Sequence, residues 1–274
     1  MKVSFFNQKL LKLYGNVIAI LSTIISFIQI FYEIPNNFKV RIIAVIIFVF
    51  LLISIYIATF IYANKKKSVK LEVNKTTINV TIGDIFNQDG LKIIPFNEYF
   101  DTLVDDKLIS SNTLNGKYLS EYVENRDELD KKISSEKRLR KLQILIDNKR
   151  ENGKKIKYPL GTIYKNEDYL LLAFSRFDPD NRAFLNKEDI IKCLLNMWNE
   201  IDILYSGYSI NIPLLGTGIT RFHGVELSEQ ELLEILLVSF KMSGLTLTKN
   251  ANINIIVYKD SIDNINFFKL SDYL

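Results

Sequence analysis

The sequence contains one cysteine, Cys193, and one histidine, His223, in 274 residues. A lone cysteine excludes an intramolecular disulfide and a cysteine-rich metal site. A lone histidine excludes zinc sites built from several histidines, and it excludes phosphoryl chemistry that needs a histidine pair. The chain must therefore bind its ligands through other side chains and through its backbone.

Outside its amino-terminal quarter, the chain also lacks an excess of positive charge. Residues 1–64 hold five Lys/Arg and one Asp/Glu, so they account for the whole net charge of +4. The remaining residues carry thirty basic and thirty acidic side chains. Nucleic-acid binding requires a basic face that replaces condensed counterions. The composition therefore argues against DNA or RNA as a partner.

Charged side chains are absent from two long apolar segments, residues 13–32 and 42–63. At about 1.5 Å per residue, each segment can cross a hydrocarbon core of about 30 Å. A short, turn-forming link over residues 33–41 joins them, and no Ala-x-Ala-like site follows the first, which favours a membrane hairpin over a signal peptide. We predict a transmembrane hairpin over residues 1–67 and a ligand-binding domain over residues 68–274.

The basic residues that flank the two segments predict their orientation. Three lysines precede the first span and four follow the second, whereas the link has two basic residues, Lys39 and Arg41. This bias predicts a multi-pass protein of the cell membrane with both termini in the cytoplasm. Because neither span contains a charged residue, two helices supply no ion pathway, and permeabilisation requires a homo-oligomer. A passive anchor is the alternative.

Beyond the hairpin, short apolar segments alternate with helical patterns. A capping box, Ser228-Glu229-Gln230-Glu231, marks the start of one helix. Interleaved strands and helices in about two hundred residues are typical of an α/β fold, here a three-layer α/β/α sandwich with a mixed sheet. The predicted strands are residues 71–82 (one strand or a pair), 91–95, 156–163, 169–175, 208–215 and 251–258, and the other predicted helices are residues 127–150 and 185–205.

The turn Gly216-Thr217-Gly218 directly follows the predicted strand 208–215. Glycine has no Cβ, so bare backbone N–H groups in such a turn can converge on an anion. Open α/β sheets bind phosphorylated ligands at loops that follow the carboxyl ends of strands. The turn is therefore a candidate phosphate-binding loop.

Three further motifs stand at strand ends. Asp84, after the turn glycine Gly83, can accept a hydrogen bond from an exocyclic amine such as that of adenine, or it can cap the next turn. Asn97 and Asp101 can meet ribose hydroxyls or cap a helix. The segment 158–163, YPLGTI, contains a second strand-end glycine and can line the opposite side of one cleft.

The order of these motifs resembles that of the macro domain, an ADP-ribose-binding α/β module. The resemblance implies that Asp84 meets adenine, that residues 215–219 hold the diphosphate, and that Asn97 lies near the distal ribose. The full set of ligand-binding residues expected on this basis is Asp84, Ile85, Asn97, Asp101, Thr102, Gly161, Thr162, Leu215, Gly216, Thr217, Gly218, Ile219, Thr220 and Arg221.

The residues after the second strand depart from those of catalytic macro domains. Such domains carry an Asn-Ala-Ala-Asn-like stretch and a run of glycines, whereas this chain has IPFNEYFDT at 94–102 and VDDKLIS at 104–110. We therefore expect no catalytic residue, no metal and no cofactor. His223, beside the loop, can touch the ligand or be an ordinary surface residue.

The whole layout is similar to that of the membrane-anchored macro-domain effectors of type II Thoeris anti-phage defence. That resemblance implies a TIR-domain partner that consumes NAD and makes a histidine-linked ADP-ribose signal. Binding of the signal would lead the hairpins to oligomerise and damage the membrane. A membrane-tethered ADP-ribosyl hydrolase and a passive scaffold are the alternatives.

Overall fold

The computed structural model describes residues 3–32 and 37–270. The chain divides into two compact units. The first comprises Met1–Lys67 and Asn266–Asp272, and the second is essentially Ser68–Ile265. The described residues 266–270, which the sequence prediction included in the ligand-binding domain, thus group with the first unit. Part of the predicted link, residues 33–36, lies outside the described residues, as do residues 271–274.

Two long helices make up most of the first unit, α1 (Gln8–Gln29) and α2 (Phe38–Lys65). Asn7 caps α1, because its side chain accepts the N–H groups of Lys9 and Leu10. The most apolar windows of the two helices have mean hydropathies of 1.7 and 3.0, so both are long and apolar enough to cross a membrane. The first helix begins and ends earlier than the predicted span at residues 13–32.

A nine-stranded mixed sheet forms the centre of the second unit. Its strands, in spatial order, are β1 (Ser68–Val73), β2 (Thr76–Ile82), β11 (Ile253–Val257), β9 (Ile210–Pro213), β3 (Leu91–Asn97), β7 (Tyr169–Phe177), β8 (Ala183–Asn186) and β10 (Arg221–His223), with β6 (Ile163–Asn166) antiparallel to β7. A separate small hairpin consists of β4 (Leu145–Ile146) and β5 (Ile156–Lys157).

Helices cover both faces of the sheet. On one face, Ile94, Phe96 and Leu171 pack in a buried cluster with residues of α3 (Leu114–Glu121), α4 (Arg126–Ser135) and α5 (Lys137–Leu142). Neighbouring strand residues, such as Leu170 and Leu172, point the other way and are also fully buried. Helix α6 (Lys187–Leu204) packs against β7, with Cys193 Sγ 3.9 Å from the Ala173 carbonyl oxygen, and α7 (Glu229–Ser243) packs against α6 through Trp198 and Phe240. The last helix, α8 (Phe267–Leu270), belongs to the first unit. The predicted three-layer α/β/α sandwich with a mixed sheet is confirmed.

The predicted capping box is present at the start of α7. The Ser228 hydroxyl accepts the Glu231 N–H at 3.3 Å, and the Glu231 carboxylate accepts the Ser228 N–H at 2.8 Å. The single long helix predicted over residues 127–150 is wrong. Glu136 has an extended backbone, and its carboxylate caps α5, so the chain turns there and the β4–β5 hairpin follows.

The strand predicted over residues 156–163 is also interrupted, leaving β5 and β6 with a turn between them. Gly161 lies in this turn with φ +90°, a backbone conformation that favours glycine. A Cβ at this position would lie 2.4 Å from the Cys193 carbonyl oxygen. The strand is therefore interrupted where this turn packs closely against α6.

Candidate functional site

The loops that follow five neighbouring parallel strands meet at one edge of the sheet. Strands β2, β11, β9, β3 and β7 are parallel in that order, so their carboxyl ends lie side by side. Asp84 follows β2, residues 214–220 follow β9, and residues 98–102 follow β3. Gly161 precedes β6, and because β6 runs antiparallel to β7, its start lies at the same edge of the sheet. The fold thus brings the predicted segments to a common edge.

At this edge the pairing between β9 and β3 ends early. Within these two fully described strands, only Leu91 and Lys92 pair with Ile210 and Asn211. Beyond those pairs the strands separate, while β3 stays paired with β7 as far as Asn97. Crevices outside the carboxyl ends of strands are the usual ligand sites of open α/β sheets. The glycine loop and the residues after β3 follow these two strands and therefore flank the point where the strands separate.

The glycine loop is anchored at its start and open at its tip. Leu214 donates its N–H to Ile256 at 3.2 Å, and the Thr217 hydroxyl donates to the Leu214 carbonyl at 3.0 Å. Gly218 and Ile219 are exposed, and their N–H groups have no acceptor within residues 3–32 and 37–270. Two backbone donors at the loop tip are therefore available to a ligand, and anion binding there stays a prediction.

The two loop glycines have different structural requirements. Gly216 has φ +87°, and a Cβ there would lie 2.6 Å from Cζ of Phe222. Gly218 has neither a positive φ nor any heavy atom within 4 Å of its Cβ position. The loop conformation therefore requires glycine at position 216, whereas the space around position 218 is open to a side chain or a ligand.

We therefore expect Gly216→Ala to destabilise the second unit by about 1–3 kcal/mol through backbone strain and steric contact. Gly218→Ala should change stability by less than about 0.5 kcal/mol. Urea unfolding of the full-length chain in detergent, followed by the fluorescence of the single, buried Trp198, measures both. Equal stability of the two variants would show that Gly216 does not shape the loop.

Asp84 caps a short turn at the far end of the site. One of its carboxylate oxygens accepts the Phe86 N–H at 3.0 Å, and the other lies 3.4 Å from Lys117 Nζ. The side chain is 34% exposed, and the following Ile85 is buried in the 3-10 turn. Of the two roles predicted for Asp84, the structure shows the cap of the next turn. The contact with adenine stays a prediction.

Residues after β3 form a buried polar network instead of open ligand contacts. Asn97 accepts the Tyr99 N–H at 3.0 Å and donates to the Asp101 carboxylate at 2.9 Å. Asp101 pairs with Arg150 Nη2 at 2.7 Å and accepts the Lys154 N–H at 2.7 Å. Both carboxylate oxygens of Asp101 are therefore occupied by the segment that contains the β4–β5 hairpin.

Two further predicted residues are also internal. The Thr102 hydroxyl donates to Asp130 at 2.7 Å, and Thr162 is buried with its carbonyl accepting the Ala173 N–H at 2.9 Å. Gly161 is packed against α6. Ligand contacts by these residues, and by Asn97 and Asp101, stay predictions.

Sequence reasoning missed Glu98 as a charged group of this edge. Its buried carboxylate lies 3.0 Å from Lys157 Nζ and 3.3 Å from Arg176 Nη1. Burial raises the pKa of Glu98 above its ordinary value, although both cations act in the opposite direction. Hydrogen bonds from Arg176 hold the pKa of Asp189 below its ordinary value. The sequence gives no signal for these contacts, since Arg176 lies 78 positions from Glu98.

Beyond the glycine loop, Arg221 and His223 lie on β10, which pairs in parallel with β8. Arg221 is exposed and has no ion-pair partner within the described ranges. The His223 ring stacks on Phe184, with ring centroids 4.8 Å apart. The His223 ring thus packs on Phe184, while a ligand contact by His223 stays a prediction, as does one by the exposed Arg221.

The sequence was compared with protein families and with known proteins. A family model described as the macro domain of the Thoeris protein ThsA matches residues 78–258. The Thoeris protein ThsA of Bacillus amyloliquefaciens (strain Y2) is 38% identical over 256 residues, which cover 92% of this chain and 84% of that protein. The chain belongs to the Thoeris ThsA family. The predicted macro domain of a Thoeris defence protein is thereby confirmed.

The Thoeris ThsA match extends beyond the second unit, because Ser68–Ile265 amounts to less than 92% of the chain. Structural similarity was also found to the macrodomain of Oceanobacillus iheyensis. Its structures with MES and with ADP are 14% and 13% identical, with TM-scores of 0.46 and 0.47. Each covers 74% of this chain, and the matched parts are 95% and 94% of those chains.

Proposed function

We propose that this Thoeris ThsA protein is a membrane-anchored effector that binds an ADP-ribose-derived nucleotide through its macro domain. The observation that carries the proposal is the open tip of the glycine loop, where Gly218 and Ile219 present unpaired N–H groups next to the point where β9 and β3 separate. A diphosphate there accepts hydrogen bonds from backbone donors. The exposed guanidinium of Arg221 adds a cation that suits phosphate oxygens.

The rest of the ligand follows from the order of the strands. Asp84 stands two strand positions from the glycine loop, which is about 10 Å at ordinary strand spacing. We assign adenine to the Asp84 and Ile85 end. The distal ribose lies at the β3 end, beside the buried network of Asn97 and Asp101.

We propose binding without turnover. Asp101 and Glu98, the acidic groups nearest to the end of β3, are both buried and ion-paired, so neither presents a free carboxylate to activate water. The signal is a histidine-linked ADP-ribose made by a TIR-domain partner that consumes NAD. The support for this signal is membership of the Thoeris ThsA family.

The response takes place at the membrane. Both termini lie in the cytoplasm, and ligand binding leads several copies to assemble so that α1 and α2 disrupt the lipid bilayer. Two helices from one chain cannot enclose a pore, and neither apolar span carries a charged residue. A ligand can shift the assembly equilibrium only through its different affinities for the free and assembled chain.

We expect the full-length chain in dye-loaded lipid vesicles to release dye after histidine-linked ADP-ribose is added, and to release less with ADP-ribose. A fluorescence leakage assay measures the dye release. The controls are vesicles without added ligand and vesicles that contain the Gly218→Asp chain. Release that is equal with and without ligand, or equal in the Gly218→Asp chain, would contradict ligand control of the membrane step.

A further inference from the structure

Strand β1 is the outer strand of the sheet. It pairs with β2 from Ser68 to Val73 without a bulge, and within the described residues no strand pairs with its other side. Its side chains alternate between the two faces. Val69, Leu71 and Val73 are buried, whereas Ser68, Lys70 and Glu72 are exposed. The free edge therefore presents a regular row of backbone donors and acceptors, and the buried side chains of the same strand are all apolar.

This edge has few of the features that protect outer strands from pairing. Proteins usually protect such edges with prolines, bulges, very short strands or charged side chains, especially lysine. Strand β1 contains no proline and no bulge, and its six residues are ordinary strand length. Its charges are Lys70 and Glu72, of opposite sign, and neither forms an ion pair within residues 3–32 and 37–270.

The two charges make the strand complementary to itself. If two copies of β1 pair antiparallel about Leu71, Lys70 of each copy stands opposite Glu72 of the other. Val69 then stands opposite Val73, which continues the apolar layer. A shift of two residues in either direction places Lys70 opposite Lys70, or Glu72 opposite Glu72. Like charges directly opposite each other destabilise a strand pair, so the charges select one register.

We propose that two copies of this chain associate through antiparallel β1 strands in the Leu71-centred register, which joins their sheets. The pairing is isologous, since the same surface serves both copies. It rests on the assembly step of the proposed function and names the surface through which a first pair of copies forms. Because only Lys66 and Lys67 separate α2 from β1, the pairing links two membrane hairpins directly.

The small size of this contact makes it depend on the membrane. An isolated pair of short strands is at best marginally stable in water. Chains that share a bilayer have a much higher effective concentration, which increases association without any new contact. We therefore expect the pair to form between reconstituted chains and to be weak for dilute chains.

Charge exchange tests the register. We expect Lys70→Glu and Glu72→Lys each to weaken pairing about tenfold, since each places like charges opposite each other twice. The double variant Lys70→Glu/Glu72→Lys should pair normally, and mixed Lys70→Glu and Glu72→Lys chains should pair with each other. Energy transfer between full-length chains fused to donor and acceptor fluorescent proteins, in vesicles with and without histidine-linked ADP-ribose, measures this. Lys249→Glu, an exposed residue of another loop, is the control.

A cysteine pair tests the geometry independently. Chains with Lys70→Cys and chains with Glu72→Cys, reconstituted together and oxidised, should form a mixed disulfide, whereas either chain alone should form much less. The native Cys193 is fully buried, so it should not form a disulfide between chains. Two results would overturn the β1 pairing without contradicting assembly itself: normal energy transfer by the single charge variants, or no mixed disulfide in chains that do assemble. Failure of the parent chain to assemble would overturn both the β1 pairing and the proposed assembly step. Ligand binding is tested separately, by titration.

Discussion

Gly218→Asp is expected to lower the affinity of the full-length chain for ADP-ribose at least about 100-fold. The added carboxylate stands where the diphosphate binds, and two like charges about 4 Å apart near a protein surface repel by about 4 kcal/mol. The fold should not change, because the Cβ position of Gly218 has no heavy atom within 4 Å. Calorimetric titration of the chain in detergent measures the loss.

Two matched variants separate charge from shape at this position. Gly218→Asn has nearly the shape of the aspartate without its charge, and Gly218→Ala adds only the methyl group. We expect both to bind ADP-ribose within about tenfold of the parent, since the backbone N–H groups that hold the phosphates remain. If the aspartate variant binds like the asparagine variant, the diphosphate does not lie at the glycine loop.

Arg150→Met is expected to lower the free energy of unfolding of the second unit by about 3–5 kcal/mol, because it leaves the Asp101 carboxylate buried without its partner. The two side chains are 8% and 1% exposed, and Arg150 also stacks on the Tyr99 ring at 3.9 Å. Urea unfolding of the full-length chain, followed by Trp198 fluorescence, measures the change.

A surface ion pair supplies the matched control for this prediction. Lys132 pairs with Glu128 at 2.8 Å, but both side chains are more than half exposed. Lys132→Met should therefore cost about 0.5 kcal/mol or less. The double variant Arg150→Met/Asp101→Leu should be more stable than Arg150→Met, because no unpaired charge remains. If Arg150→Met costs no more than Lys132→Met, the buried network does not stabilise the segment that follows β3.

The features that sequence predicted well are local. The capping box of α7 depends on residues three positions apart, and the strands β2, β3 and β9 follow from alternation and apolar runs. The Asp84 turn and the glycine loop also stand directly after strands, so they could be recognised without knowledge of the sheet order. The order of these motifs along the chain sufficed to indicate the macro domain.

The features that sequence missed depend on contacts between distant segments. Asp101 and Arg150 are 49 positions apart, and their pairing converts predicted ribose contacts into an internal network. Glu136 ends α4 and caps α5 within a densely charged stretch whose periodicity suggested one helix. Strand β10 has only three residues and owes its existence to pairing with β8. Local patterns do not encode such contacts.

The measurement that tests the central claim most directly is a calorimetric titration of the full-length chain in detergent with ADP-ribose and with histidine-linked ADP-ribose. The recovered ligand should then be checked by mass spectrometry. The account predicts saturable binding of both compounds, tighter binding of the histidine-linked one, and recovery of intact ligand. Absence of binding, or conversion of the ligand to products, would contradict the conclusion that this macro domain is a sensor.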